Sequence, residues 1–186
     1  YYAWPGVDVR YTPAVCAALA LGYEHESTAW NMTADLTPPA APTRLDTSAA
    51  ESRLAAAGVT VRRAGPADEA LLVEFVASQF GGAWAAEVAH SLDRPGAGCH
   101  LAVRGGEVLG FAAYGSSRPS WFGPMGTAAT ARQLGVGGVL LRRCLADQRA
   151  AGHARVQIGW VGPAPFYSGA VGARIERVFF LFRKRL

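Results

Sequence analysis

The residues of this chain best suited to chemistry lie in Met125–Leu141, M-G-T-A-A-T-A-R-Q-L-G-V-G-G-V-L-L. A run of apolar and small residues ends at Arg132. Glycines then stand at Gly135, Gly137 and Gly138, and an amphipathic helix begins. Glycine has no Cβ, so a ligand can come close to the backbone of such a loop. The first N–H groups of the helix lack intrahelical acceptors, and the positive end of its dipole falls at the same point. Strand, glycine loop and helix N-terminus together suit phosphate groups.

Several phosphate loops compete for this pattern. A P-loop closes its glycines with Lys-Ser/Thr, because the lysine contacts the β/γ-phosphates and the hydroxyl holds magnesium. Gly137-Gly138-Val139-Leu140 has neither residue. The dinucleotide pattern G-x-G-x-x-G needs a third glycine where Leu140 stands, and it opens a βαβ unit. What remains is Arg132-Gln133-Leu134-Gly135-Val136-Gly137, of the form R-x-x-G-x-G. The competing structural reading is that the glycines let the helix pack tightly on a strand.

The elements that must position this loop follow from periodicity and breakers. Val59–Ala64 is a strand. Pro66, Asp68 and Glu69 mark a helix start, with Leu71, Leu72, Phe75, Val76 and Phe80 on one face. Gly81-Gly82 breaks that helix, and Ala83–Leu92 makes another. Cys99–Val103 and Val108–Tyr114 are strands joined through Arg104-Gly105-Gly106-Glu107, a hairpin signal. Trp121–Ala131 is a strand bent or bulged at Gly123-Pro124. Helix Gly137–Ala151 turns Leu140, Leu141, Cys144 and Leu145 inward. Ala154–Val161 is a strand apolar enough for burial on both faces, Pro165–Val171 a short helix ended by Gly172, and Arg174–Leu186 a last strand. The order predicts a mixed α/β fold with an antiparallel first half.

Ahead of this unit, Tyr1–Trp4 reads as a strand end. Tyr11–Leu21 is a helix with Pro13 in its first turn and a stop at Gly22, and Tyr23–Leu36 is a long strand. Thr37–Pro42, with three prolines in six residues, reads as a linker. Ser48-Ala-Ala-Glu51 has the capping-box form and starts a short helix that Gly58 can end. The order Trp, aromatic, Gly, strand recurs as Trp4, Tyr11, Gly22 and as Trp160, Phe166-Tyr167, Gly172, which predicts two tandem copies, the first incomplete. The alternative is two unrelated helix–strand pairs.

Composition bounds the chemistry. Of 186 residues, 51% are hydrophobic and 17% charged, enough to bury a sizeable core. No apolar run reaches about 18 residues, so no membrane span is expected. Cys16, Cys99 and Cys144 are odd in number and far apart, which points to a reduced, cytoplasmic setting, and none has a metal-ligand spacing. The chain opens Tyr-Tyr-Ala-Trp with Met32 its first methionine, so it is expected to be a piece of a longer polypeptide. Residues 1–58 carry 3 Arg against 6 acids, and the remainder 15 Lys+Arg against 8 acids. A basic second part suits an anionic ligand. Arg183-Lys184-Arg185 without interleaved aromatics makes a poor nucleic-acid site, and no nucleic-acid partner is expected.

The R-x-x-G-x-G loop, with this order of elements over residues 59–186, resembles the acetyl-CoA loop of the GCN5-related N-acetyltransferase superfamily. Residues 1–36 resemble the C-terminal fragment of a first such unit, and 37–58 the linker and short helix between. The resemblance implies splayed parallel strands around the cofactor, with Met125, Gly126 and Thr127 on the strand before the loop, opposite Gln157–Val161. It implies acetyl-CoA as co-substrate, its pyrophosphate held by Arg132, Gln133, Leu134, Gly135, Val136, Gly137 and Gly138, and no metal. It implies transfer of the acetyl group to a small-molecule or peptide amine by direct attack, with Tyr167 as the acid that protonates the leaving thiolate. The alternative is a catalytically silent acyl-CoA-binding module.

No general base stands out. Glu107 falls in a turn, Glu87 on a helix face expected to be solvated, His100 on a strand and His153 after a helix end. Trp121, Phe122 and Trp84 are candidate walls of an acceptor pocket, with core packing the competing role. A homodimer, or packing against a missing N-terminal half, is the expected assembly.

Overall fold

The computed structural model describes residues 6–37 and 39–185, so the expected strand at Tyr1–Trp4 lies outside the described residues. In chain order the elements are β1 (Val7–Asp8), α1 (Thr12–Ala20), β2 (Glu24–Asp35), α2 (Ala40–Leu45), α3 (Ser48–Ala56), β3 (Thr60–Arg63), α4 (Glu69–Phe80) and α5 (Gly82–Asp93). There follow β4 (Gly98–Arg104), β5 (Glu107–Tyr114), β6 (Trp121–Thr127), α6 (Val136–Ala150), β7 (Arg155–Ile158), α7 (Ala164–Val171) and β8 (Arg174–Arg183). The fold is mixed α/β, as the order predicts.

The backbone forms two compact units. One runs to Ala34 and resumes at Gln157; the other is Asp35–Val156. These units do not coincide with the segments 1–36, 37–58 and 59–186, because the last helix and strand group with the opening residues.

In the Asp35–Val156 unit, β3, β4, β5 and β6 form an antiparallel run, with Leu101 opposite Phe111 and Ala112 opposite Met125. Alternate side chains point to opposite faces. Cys99 and Leu101 of β4 and Phe111 and Ala113 of β5 pack with Leu72 and Val76 of α4 and Ala85 and Val88 of α5. The other face takes α6, whose Leu140, Leu141, Cys144 and Leu145 are fully buried, as the helical spacing requires. Each such leucine stabilises the fold by about 1.5–3 kcal/mol. The Gly105-Gly106 turn has φ of 58° and 87°, the left-handed values that a tight hairpin needs. Between Phe122 and Met125 two residues of β6, Gly123 and Pro124, face one of β5, Ala113, which is the expected bulge at Gly123-Pro124.

Several local expectations give way. Leu71 is exposed rather than inward, because α4 turns its Leu72–Val76 stripe to the sheet. The Pro-rich linker is partly helical: α2 includes Pro42 in its first turn, where a missing N–H costs nothing. The capping box does not form: Thr47 is the N-cap and its side chain caps no backbone N–H, Asp46 Oδ1 accepts the Ser48 N–H at 2.9 Å, and Glu51 Oε1 accepts from the Thr47 hydroxyl and from Arg143 Nε of α6, the latter at 2.8 Å. Strand β6 stops at Thr127, and Ala129–Ala131 forms a 3-10 turn.

In the other unit, β8 lies between β1 and β2, antiparallel to both. Val7 pairs with Phe180, and β2 pairs with β8 from Glu24↔Arg183 to Thr33↔Arg174. Beyond β7 the Val161 N–H donates to Trp30 O at 3.0 Å. Strand β7 is shorter than expected and has exposed Arg155 at its start, so it is not buried on both faces. Strand β8 ends at Arg183. Asp8 is buried, accepts from Arg10 Nη2 and Arg177 Nε at 2.8 and 2.9 Å, and its carboxyl is held far below the usual range by these guanidinium groups, Arg10 foremost.

Candidate functional site

The glycine loop leads into α6 through two left-handed residues. Gln133 has φ 76°, and Gly135, the N-cap of α6, has φ 85° and ψ 5°. Turn hydrogen bonds fix the approach: Ala131 N–H donates to Ala128 O at 3.0 Å and Leu134 N–H to Ala131 O at 3.3 Å. The Val139 N–H reaches back to Gly135 O. The N–H groups of Val136, Gly137 and Gly138 come earlier in the first turn, where a helix offers no intrahelical acceptor. They and the positive helix end therefore converge on one place.

Arg132, Gln133, Leu134 and Gly135 are exposed, so this end of α6 is open to an anion, with a guanidinium at its edge. A methyl group on Gly135 would meet nothing within 4 Å. Packing therefore does not require a glycine there; the left-handed φ and the open approach do. Gly126 is a different case. A methyl on it would stand 2.5 Å from Phe80 Cζ, so this glycine lets α4 close on β6. Phe80 in turn stacks on Trp84 and meets Phe111 edge-on. Met125 and Thr127 flank Gly126 and are half-buried.

A helix end can hold an anion in a fixed place only if the helix itself is fixed. Besides its apolar stripe, α6 carries a polar anchor at its other end. Asp147 Oδ2 accepts from Arg63 Nη1 of β3 at 2.6 Å and from the Tyr114 hydroxyl of β5 at 3.0 Å, and lies 2.9 Å from His100 Nε2 of β4. Burial raises the Asp147 carboxyl, but His100, Tyr114 and Arg63 outweigh it and hold the group below its ordinary range. Tyr114 is pushed up to about 12, by burial first and by the Asp147 charge second. Gln148 Nε2 donates to Pro119 O at 2.9 Å and to Trp121 O at 3.2 Å, tying the same helix turn to the approach of β6. His100 thus serves packing of the helix. Nothing in the sequence pairs it with Asp147, 47 residues away.

The remaining candidates separate clearly. Trp121 and Phe122 are buried in the core, and Trp84 is exposed beside Phe80. Glu107 is exposed, but it opens β5 opposite Arg104 rather than lying in the turn. Glu87 is half-buried on α5 rather than fully solvated, and burial pushes its carboxyl up. Tyr167 belongs to the other unit, on α7, which ends at Gly172 with φ 68°. It is 7% exposed, its ring lies edge-on to Phe166, and burial pushes its phenol up to about 12. A phenol in that state is fully protonated at neutral pH and can act as an acid.

Two residues of that unit carry no sequence signal for their part. Trp160 adopts φ 49° just after β7, and its N–H donates to Oδ1 of fully buried Asn31 at 3.0 Å. A non-glycine residue in the left-handed region marks a constrained position. Here it interrupts the strand where the resemblance expects Gln157–Val161 to run on. Among the described residues, no group of three or more His, Cys, Asp or Glu side chains is placed to hold a metal ion. Among them, too, no helix is long and apolar enough to cross a membrane.

No protein-family model matches the chain, and no curated protein matches it. Solved structures do. The chain is similar to the GCN5-related glucosamine N-acetyltransferase region of a fungal multi-domain β-N-acetylglucosaminidase, over 96% of this chain and 24% of that one, at 16% identity and a TM-score of 0.71. It is similar to a GCN5-related N-acetyltransferase from Sphaerobacter thermophilus, over 96% of this chain and 57% of that one, at 21% identity and a TM-score of 0.68. It is also similar to a tandem GNAT protein from the clavulanic acid biosynthesis pathway, over 97% of this chain and 60% of that one, at 15% identity and a TM-score of 0.61. The chain spans less than two thirds of the length of each of these three. At such identities the likeness concerns the path of the backbone. That path, with the glycine loop at the start of α6, gives this chain the mixed α/β fold of the GCN5-related N-acetyltransferases.

Proposed function

We propose that the protein is an N-acetyltransferase that takes an acetyl group from acetyl-CoA and passes it to an amine, a small molecule or a peptide. The observation that carries this reading is the N-terminus of α6, where left-handed Gly135 is exposed beside Arg132 at the helix end whose first N–H groups have no intrahelical acceptor. A diphosphate needs several donors on one side and no side chain in the way, and this loop offers both. The residues that would hold it are Arg132, Gln133, Leu134, Gly135, Val136, Gly137 and Gly138. Met125, Gly126 and Thr127 would line the strand along which the rest of the cofactor runs.

The chemistry supplied by the co-substrate is a thioester whose carbonyl carbon accepts the amine. The new C–N bond replaces the C–S bond, the amine loses a proton to water, and the thiolate takes one. Tyr167 is the proposed source of that last proton. Its raised pKa keeps the hydroxyl protonated at neutral pH, which suits a donor and disqualifies it as a base. On the same reading residues 1–36 are the end of a first copy, 37–58 the connection and 59–186 the complete transferase, acting in the cytoplasm without metal.

Calorimetric titration with acetyl-CoA tests the cofactor site. Saturable binding is expected, with at least about tenfold loss on replacing Gly135 or Gly137 with tryptophan, since a bulky side chain blocks close approach of the backbone. No binding by the parent chain overturns the proposal. Release of free thiol with a panel of amines, compared with Tyr167→Phe, then separates a transferase from a silent acyl-CoA binder.

A further inference from the structure

We propose that Asn31 is a positioning residue for acetyl transfer: its side chain sets the left-handed turn at Trp160 that aims α7 and its Tyr167. This inference rests on the reading of Tyr167 as the acid, and it gives the opening segment of the chain a part in that chemistry.

Strand β7 ends at Ile158 and α7 begins at Ala164, so the stretch from Gly159 to Pro163 decides how α7 leaves the sheet. Within it Trp160 has φ 49°. Glycine takes that conformation freely, whereas a bulky residue takes it only where its surroundings over-determine it. Two successive residues of β2 supply the hold. The Trp160 N–H donates to Asn31 Oδ1 and the Val161 N–H to Trp30 O, each at 3.0 Å. Asn31 is fully buried, and β2 shifts register against β8 between Asn31 and Met32, an irregularity of the kind that re-aims a side chain. The next residues of β2 hold the far side of the same helix. Helix α7 ends at Gly172, and β8 then pairs Arg174 with Thr33 and Ile175 with Met32. The chain on both sides of α7 is thus tied to the stretch from Trp30 to Thr33.

The rest of the Asn31 amide shows what the residue is there for. Its Nδ2 is buried, and among the described residues no group accepts from it. A buried amide nitrogen is ordinarily satisfied, and leaving it unpaired costs stability. Turning the amide over would set Nδ2 against the Trp160 N–H, donor to donor, so Trp160 fixes the orientation. An apolar residue would remove the cost at Nδ2 and leave the Trp160 N–H without this acceptor. Asn31 therefore spends stability on one hydrogen bond, and local rules are broken in this way at functional positions.

Thiol release from acetyl-CoA, with small primary amines and a peptide N-terminus as acceptors, tests the proposal together with hydrogen exchange of the intact chain. In Asn31→Ala, kcat should fall about 10–10²-fold, the effect of a small misplacement of a reacting group, while the calorimetric Kd for acetyl-CoA changes less than about twofold. Amide exchange at Trp160, Val161 and α7 should quicken at least about tenfold. Asn31→Asp keeps an acceptor at the same place and should bring kcat back to within about threefold of the parent. At exposed Trp160, a valine resists the left-handed region and a glycine does not, so Trp160→Val should be at least about tenfold slower than Trp160→Gly. This second pair gives the answer if Asn31→Ala does not fold. Parent-like kcat or parent-like exchange in Asn31→Ala overturns the proposal, and so does equal kcat in the two Trp160 variants. A parent chain that releases no thiol with any acceptor overturns the acetyl-transfer reading itself, and this inference with it.

Discussion

Two helix–strand pairs in the same unit make an instructive comparison. In α1–β2 and α7–β8 a short helix ends on a glycine in the left-handed region, Gly22 with φ 77° and Gly172 with φ 68°, and a long strand follows. The two strands then pair antiparallel along most of their length. Local sequence built both pairs in the same way. They differ in what the helix meets. Helix α7 buries Tyr167 and Val171, whereas α1 buries nothing and leaves Tyr11 64% exposed. A tyrosine near a helix start is therefore buried, with its phenol pushed up to about 12, in one pair and exposed in the other. The secondary structure is repeated, and the surroundings decide the chemistry.

The largest effect that could break this comparison is catalytic. Under the proposed mechanism Tyr167→Phe should lower kcat for thiol release by about 10²–10⁴-fold, the usual worth of a positioned acid, while Tyr11→Phe leaves it unchanged. Equal effects, or none from either, would erase the distinction. A second measurement concerns what holds the strands together. Asp8→Ala strips Arg10 and Arg177 of a buried carboxylate and should cost about 3 kcal/mol in urea unfolding. Glu26→Ala, which removes an exposed ion pair with Arg183, should cost less than about 1 kcal/mol. The pH dependence follows from the depressed Asp8 carboxyl. Its contribution is complete above the ordinary Asp value near 4 and declines as pH falls below it, so the parent and Asp8→Ala curves should converge in acid.

The shared feature has its own test. Gly22→Ala and Gly172→Ala should each cost about 1 kcal/mol, because both place a Cβ in the left-handed region. A large cost at only one of them would show that the two turns are not equivalent. The smallest signal is spectroscopic. Burial raises the Tyr167 phenol to about 12, so Tyr167→Phe should remove a late phenolate step from an alkaline absorbance titration and leave that of Tyr114. The sign is that of a raised acid: Tyr167 favours the folded chain fully below pH 10 and loses that contribution as pH rises from 10 to 12.

Much of the fold was legible because its signals are local. The apolar spacing of Leu140, Leu141, Cys144 and Leu145, the double glycines at Gly81-Gly82 and Gly105-Gly106, and the bulge at Gly123-Pro124 each depend on a few neighbouring residues. One misreading comes from a distant partner that outcompetes a local one. Glu51 had a capping position three residues from Ser48, yet it pairs with Arg143, 92 residues away, because a guanidinium binds a carboxylate more strongly than a backbone N–H does. Pro42, in a Pro-rich stretch that reads as a linker, sits instead in the first turn of α2, where a helix has no use for its N–H.

What the sequence determined by itself is the loop from Arg132 to Gly138. Glycine spacing, a preceding strand and a following amphipathic helix specify open backbone donors at a helix N-terminus without reference to anything distant. What only the tertiary structure decided is which groups are tuned and which are exposed. Burial put the Tyr167 phenol near 12, placed His100 against Asp147 to pin α6, and left α1 uncovered although every residue in it is uncharged. Backbone conformation is set by neighbours in the chain. Dielectric environment and charge pairing are set by neighbours in space, and the spacing of residues along a sequence does not carry them.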